Sequence, residues 1–242
     1  MVEDQYSYEI QGQSIDCVIK KMVATFYESA LSGPTIQQAM RPGGLKLTQE
    51  VLKIVNPKPD WSVLDVACGL GSTLRLLTEQ FRCQTYGLDL SAKILKRAKA
   101  GSLKEEDKRF TEFICADSEF IPFRNELFDA VICECSLSLF PNKQRVLNEI
   151  VRILKKGGKF VLTDVTLKDQ VIKEASGVAG WCMCVAGAET LEGYASLLET
   201  SGMRMLYCRD ASEVYEWELA DPEQRKLLEG RIGYAVIVGI KT

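Results

Sequence analysis

Ser62-Val63-Leu64-Asp65-Val66-Ala67-Cys68-Gly69-Leu70-Gly71 is a short apolar run that breaks into a glycine-rich turn. The run has the length and β-branched content of a strand buried on both faces. The turn lets backbone come close to a ligand between a strand end and a helix start. It lacks the Gly-Lys-Ser/Thr ending of a phosphate loop, and no third glycine completes a dinucleotide fingerprint. Taken alone, a G-x-G turn is a weak sign.

The same alternation continues on both sides of the turn. Ser72 to Phe81 reads as a helix with Leu74, Leu76 and Leu77 inward, and Thr85 to Leu88 as a second strand ending at Asp89. Ser91 caps a helix to about Ala100. Thr111 to Cys115, Phe128 to Cys133 and Lys159 to Thr163 are further strands, and Asn142 to Lys155 is an amphipathic helix closed by Lys156-Gly157-Gly158. Downstream, Thr190 to Ser201 is a helix, Met203 to Cys208 and Tyr234 to Ile240 are strands, and Glu213 to Glu229 is a charged helical stretch. Upstream, Ile15 to Leu31 and Lys46 to Val55 are helices, the first stopped by Gly33-Pro34. The expected fold is α/β: a doubly wound, mostly parallel, seven-stranded sheet. Residues 1–59 form an N-terminal helical lid, 60–242 the sheet domain, and 165–189 a substrate-cap insertion after the fifth strand. Right-handed crossovers line the strand C-termini along one edge, where ligands bind.

Composition narrows the chemistry. The chain has 242 residues, 26% charged and 46% hydrophobic, which supports a full core. A net charge of -3 argues against a bulk grip on nucleic acid. The absence of histidine removes a His general base, a Ser-His-Asp triad and every His-ligated metal site. The polar, acidic start is no signal peptide and no stretch is long enough to span a membrane, so the expectation is a cytoplasmic protein with nine mostly reduced cysteines.

Three acids stand at successive strand ends. Asp65 closes the first, Asp89 the second, 20 residues after Gly69, and Asp117 follows the third. A carboxylate at Asp89 can take both hydroxyls of a ribose, and one at Asp117 can receive an adenine amino group. Taken singly, Asp65 reads equally as a strand-end cap and Asp89 as a helix cap.

With Gly87-Leu88-Asp89-Leu90-Ser91, Ala116-Asp117 before Ile121-Pro122-Phe123, Phe128-Asp129-Ala130-Val131 and Leu154-Lys155-Lys156-Gly157-Gly158-Lys159-Phe160 added to the opening stretch, the chain resembles the Rossmann-type S-adenosylmethionine-dependent methyltransferases, in their small-molecule branch called type 11. The resemblance implies a last strand that is antiparallel, S-adenosylmethionine as donor and S-adenosylhomocysteine as product. It implies that Asp65 and the Gly69–Gly71 turn meet the methionine part, with Ala67 and Cys68 also among the cofactor-binding residues. It places Asp89 on the ribose, Leu90 on the adenine face, and Asp117 with Ser118 at the adenine edge. Ala67 stands where the family usually has a second glycine.

The acceptor side is less determined. Past the fourth strand lies Cys133-Glu134-Cys135-Ser136, without the Asn/Asp-Pro-Pro-aromatic motif of amino-directed nucleic-acid methyltransferases, so a small molecule is the expected partner. Glu134 can neutralise the cofactor's ammonium, position an acceptor or act as a base. Glu134, Cys135 and Cys184 are the candidate catalytic residues. The pairs Cys133/Cys135 and Cys182/Cys184 either hold a trivalent metalloid such as arsenite through three thiolates or only pack. No resident metal is expected. A non-catalytic, cofactor-binding module is the alternative to an enzyme. Arg41-Pro42-Gly43-Gly44-Leu45 reads either as a lid hinge or as a plain turn.

Overall fold

The computed structural model describes residues 9–10, 13–31, 41–101, 108–168, 177–215 and 222–242. Seven strands form the main sheet: β1 (Ser62–Val66), β2 (Gln84–Asp89), β3 (Thr111–Cys115), β4 (Phe128–Glu134), β5 (Leu154–Leu167), β6 (Met203–Asp210) and β7 (Ile232–Lys241). Their order is β3-β2-β1-β4-β5-β7-β6. The first five run parallel, and β7 inserts antiparallel between β5 and β6. The seven-stranded, mostly parallel sheet is therefore as expected, including its antiparallel last strand.

Side chains alternate between two cores. Val63, Ala130, Ile132, Val161 and Val236 face one side, packed with Leu47, Val51, Leu52 and Val55 of α2 (Gly44–Val55). Leu64, Val66, Val131, Phe160 and Ile237 face the other, packed with Val146, Leu147, Ile150 and Ile153 of the fifth helix. Burial on both faces is why these strands are continuous apolar runs in the sequence.

The remaining helices are α1 (Ile15–Ala30), α3 (Ser72–Leu76), α4 (Ala92–Gly101), α5 (Lys143–Ile153), α6 (Val178–Cys182), α7 (Leu191–Thr200) and α8 (Pro222–Leu228). A two-residue hairpin, Glu9–Ile10 with Gln13–Ser14, precedes α1, and Ser14 caps it by accepting the Cys17 N–H. The helix expected over Ser72 to Phe81 is α only to Leu76 and continues as a π-turn over Leu77–Phe81. The fifth strand starts earlier than Lys159. Leu154 already has extended dihedrals and pairs with Phe128, and the irregular register between Phe128 and Ala130 absorbs the Lys156-Gly157-Gly158 turn. The stop at Gly33-Pro34, part of the cap segment and the middle of the 213–229 stretch lie outside the described residues. The described ends of that stretch are a 3-10 turn, Ser212–Val214, and α8. Among the described residues, no helix is long and apolar enough to cross a membrane.

Candidate active site

After β1 the chain turns through Ala67, Gly69 and Gly71, all at positive φ (56°, 54° and 76°). A Cβ on Gly69 would meet no heavy atom within 4 Å, so the turn opens into empty space. Asp89 braces it from β2. Its Oδ2 accepts the Gly69 N–H at 3.0 Å and its Oδ1 the Ser91 N–H at 2.9 Å. Ser91 then caps α4 through the Ile94 N–H. Burial raises the Asp89 pKa, and the backbone N–H groups of Ser91, Gly69 and Leu90 oppose that rise. Asp89 thus braces the residues before α4 and also forms pocket wall.

The Asp117 loop is held from two sides. Asp117 Oδ1 accepts the Glu119 N–H at 3.0 Å. From α5, Arg152 donates to the carbonyls of Ile121 and Phe123, Arg145 to that of Glu119, and Glu149 accepts the Ile121 N–H. From α1, Lys20 Nζ reaches Asp117 Oδ2 at 2.9 Å and Glu119 Oε1 at 2.8 Å. Burial works against the Lys20 charge, but the bonds to Asp117 and Glu119 outweigh it and raise its pKa.

Glu134 ends β4 inside a cluster. Its Oε2 lies 3.0 Å from Arg41 Nη2 and accepts the Thr73 hydroxyl at 2.6 Å, and its Oε1 accepts the Thr48 hydroxyl at 2.8 Å. The Glu134 and Arg41 side chains are 5% and 10% exposed. The cluster ties the Arg41-Pro42-Gly43-Gly44 turn to the first turn of α3, just past the glycine loop. Among the described residues the buried Arg41 Nε has no hydrogen-bond partner. Beneath the loop, Asp65 is buried; burial first, then the Glu134 charge, push its carboxyl well above the usual range while Arg41 opposes them.

Two of the four clustered cysteines come together. Cys135 Sγ lies 3.8 Å from Cys184 Sγ. Cys133 instead pairs with Ser136 Oγ in the core, and the Cys182 carbonyl accepts from Tyr27 Oη at 3.1 Å. A three-thiolate cage is therefore not assembled: Cys135 lies just past the end of β4 at φ 53°, and this left-handed residue breaks the i, i+2 alignment that would have kept it on the face of Cys133. Among the described residues, no group of three or more His, Cys, Asp or Glu side chains is placed to hold a metal ion.

These parts line one pocket enclosing about 1070 Å³, its solvent mouth included. Of the expected site residues, Ala67, Cys68, Gly69, Asp89, Leu90, Asp117, Ser118, Glu134 and Cys135 line it. Asp65 lies below the floor, Gly71 is the N-cap of α3, and Cys184 stands behind Cys135. The opposite wall is α1, through Lys20, Val23, Ala24 and Tyr27, followed by Leu31. That stripe has helical spacing, and a lysine within it was the available signal for Lys20. Thr48 and Thr73 had none, because only the fold brings them to Glu134.

Residues 64–162 match the family model described as a methyltransferase domain, type 11. That stretch is a methyltransferase domain of the S-adenosylmethionine-dependent type. It is 24% identical over 217 residues to methyltransferase GfsG of Streptomyces halstedii, covering 87% of this chain and 78% of that one. It is 27% identical over 174 residues to an arsenite methyltransferase of Halobacterium salinarum, covering 67% and 44%. In fold it is similar to geranyl diphosphate C-methyltransferase of Streptomyces coelicolor, solved with Mg2+, geranyl diphosphate and S-adenosylhomocysteine. There the TM-score is 0.76 and the identity 14%, over 93% and 98% of the two chains.

The pocket of this methyltransferase fits S-adenosylmethionine by the chemistry of its walls. It offers an open glycine face, acids at two strand ends, and Leu90, a large apolar side chain 43% exposed, at the expected adenine position.

Proposed function

We propose that this methyltransferase acts on a small organic acceptor that enters between α1 and the turn after β4. The reading rests on one observation: a single pocket runs from the Asp89 and Asp117 ends of β2 and β3 to Glu134, Cys135, Leu139 and Phe140 after β4. When bound, S-adenosylmethionine supplies a methyl group on a cationic sulfur, which leaves as a thioether and needs no proton.

In this reading Asp89 accepts from the ribose hydroxyls, Leu90 packs on the adenine, and Asp117 with Ser118 meets its edge. Ala67, Cys68 and Gly69 admit the methionine part. Glu134 faces the ammonium, while the spare Arg41 Nε–H meets the carboxylate. Held by Arg41 and two threonine hydroxyls, Glu134 acts as a fixed charge and not as a proton acceptor. Asp65 acts from below as a buried support. Within residues 1–59, α1 serves as the lid, α2 being packed on the sheet, and within 165–189 the segment around α6 serves as the substrate cap, the first residues belonging to β5. Tyr27 and Leu31 exclude water from the methyl end, and alignment and desolvation carry the step. Tyr27, Leu31, Leu139 and Phe140 give that end apolar walls, which suits an apolar acceptor.

A second reading is a metalloid acceptor held by Cys135 and Cys184. It is supported by their 3.8 Å approach and by the similarity to an arsenite methyltransferase. One experiment separates the two: methyl-labelled cofactor is incubated with a panel of small organic acceptors and, separately, with arsenite. Label in an organic product, with Cys135 and Cys184 open to alkylation in arsenite, supports the first reading. Protection of both thiols with label on arsenic supports the second. Cofactor binding with no product from either leaves a non-catalytic binding module.

A further inference from the structure

Cys135 and Cys184 are 49 residues apart in the chain, yet their sulfurs lie 3.8 Å apart. Cys135 donates its S–H to Cys184 Sγ, and Cys184 is 3.5 Å from the Cys135 carbonyl. Both residues sit in the left-handed region, with φ of 53° and 62°. For a residue with a Cβ that conformation costs roughly 1–2 kcal/mol. Strain held at two facing positions in one contact points to a role beyond packing. Backbone bonds hold each end: the Cys135 N–H donates to the Thr163 carbonyl of β5 at 2.6 Å, and the Cys184 N–H to the Trp181 carbonyl at 3.1 Å.

The pair also stands at a junction. Cys135 lines the pocket just after β4, whereas Cys184 follows α6 and packs against the Tyr27 hydroxyl of α1 at 3.5 Å. The sulfurs need to close by about 1.8 Å to reach disulfide length. Cys68, Cys83 and Cys133 are buried without a second thiol as hydrogen-bond partner; their thiols contact the Gly69 carbonyl, the Lys58 carbonyl and the Ser136 hydroxyl.

We propose that Cys135 and Cys184 form a reversible disulfide when a small hydroperoxide enters the pocket, and that this bond locks the acceptor end of the site. One sulfur attacks the peroxide O–O bond and becomes a sulfenic acid; the other peroxide oxygen leaves with the thiol proton as water or an alcohol. The second sulfur then displaces the sulfenic hydroxyl, which leaves with the second thiol proton as water. Two thiols lose two electrons and the peroxide gains them. The hydrogen bond to Cys184, followed by burial, pushes the Cys135 thiol well above its ordinary pKa, which slows its oxidation until an oxidant enters the pocket. The crosslink removes the Cys135 thiol from the pocket wall and draws the segment after α6 onto β4. Asp89 at the end of β2 and Asp117 past the end of β3 are untouched.

The locking clause rests on the proposed function, whereas the bond itself does not. Full-length protein is treated with hydrogen peroxide, alkylated, digested with trypsin and sequenced by tandem mass spectrometry. The expected product joins peptides 125–143 and 174–204 through Cys135 and Cys184, is reversed by dithiothreitol, and survives Cys182→Ser. Oxidation should also cut methyl transfer at least tenfold while the cofactor dissociation constant changes less than twofold. A bond through Cys133 or Cys182, a bond formed only after unfolding, or two thiols that stay alkylatable overturns the disulfide. A mapped bond with unchanged transfer overturns the locking alone.

Discussion

The Arg41–Glu134 pair can be measured independently of any ligand. In Glu134→Gln the side chain keeps its size but loses its charge, leaving the Arg41 guanidinium buried beside neutral groups. Removing one partner of a buried pair costs about 3–5 kcal/mol. The 10% and 5% exposure of the two side chains places this pair in that regime and not among surface pairs worth under about 1 kcal/mol. For a domain of this size each kcal/mol moves Tm by about 2–4 °C, so Glu134→Gln should melt roughly 6–20 °C lower. Arg41→Met strands the opposite charge and should cost a similar amount. The double variant removes both charges, so its loss should fall short of the sum by about 2–3 kcal/mol. Urea unfolding followed by circular dichroism gives the four free energies, provided the m-values agree. Single losses under about 1 kcal/mol that add to within about 0.5 kcal/mol would refute the coupling. Glu134 would then be a solvated acid free to serve as a base.

Three further outcomes follow from other parts of the site. Asp164, fully buried and held by the Ser138 N–H and hydroxyl, has a pKa raised from 3.8 to about 6, chiefly by burial. Its protonated form favours the native state below pH 4, and that contribution is lost as pH rises through 6. The stability difference between wild type and Asp164→Asn should therefore shift by about 3 kcal/mol from pH 4 to pH 7, and a flat difference would contradict the assignment. Ala67→Gly relieves the positive φ of the cofactor turn and should raise stability by about 0.5–1 kcal/mol in thermal melts, after the entropy of the added glycine in the unfolded chain is offset; a loss would mean the turn is not strained. Gly87→Ala would place a Cβ 2.6 Å from Leu74 Cδ1 and 2.8 Å from Cys68 Sγ, and should cost about 1–3 kcal/mol and weaken cofactor binding in calorimetry; unchanged affinity would show that the Cys68 position does not matter.

The sheet was legible because β1 and β4 carry apolar runs, Val63-Leu64 and Ala130 to Cys133, and burial on both faces selects that composition. The strand ends were legible for a related reason: Asp65, Asp89 and Asp117 interrupt apolar runs, and a carboxylate there needs either a cap or a ligand to answer it. Asp89 takes both backbone donors and the pocket wall. The start of β5 was hidden because Leu154 belongs to the apolar face of α5 by spacing and to the sheet by pairing with Phe128, and only tertiary contact decides between them. The Glu134 cluster was hidden more deeply. Arg41, Thr48 and Thr73 carry no periodic signal and meet only after α2, α3 and β4 are in place. The cysteines show the limit of spacing arguments: two C-x-C pairs suggested converging thiols, but β4 ends before Cys135, whose left-handed backbone turns it from the face of Cys133, so Cys133 meets Ser136 in the core and Cys135 meets Cys184.

The central claim is that the pocket at the ends of β1 to β4 is the donor site. Isothermal titration of the full-length protein with S-adenosylmethionine and with S-adenosylhomocysteine tests it directly. One saturable site for each, abolished in an Asp89→Ala variant that still shows a native circular dichroism spectrum, is the predicted result. Absence of binding by the wild type, or affinity unaltered when Asp89 is removed, would contradict it.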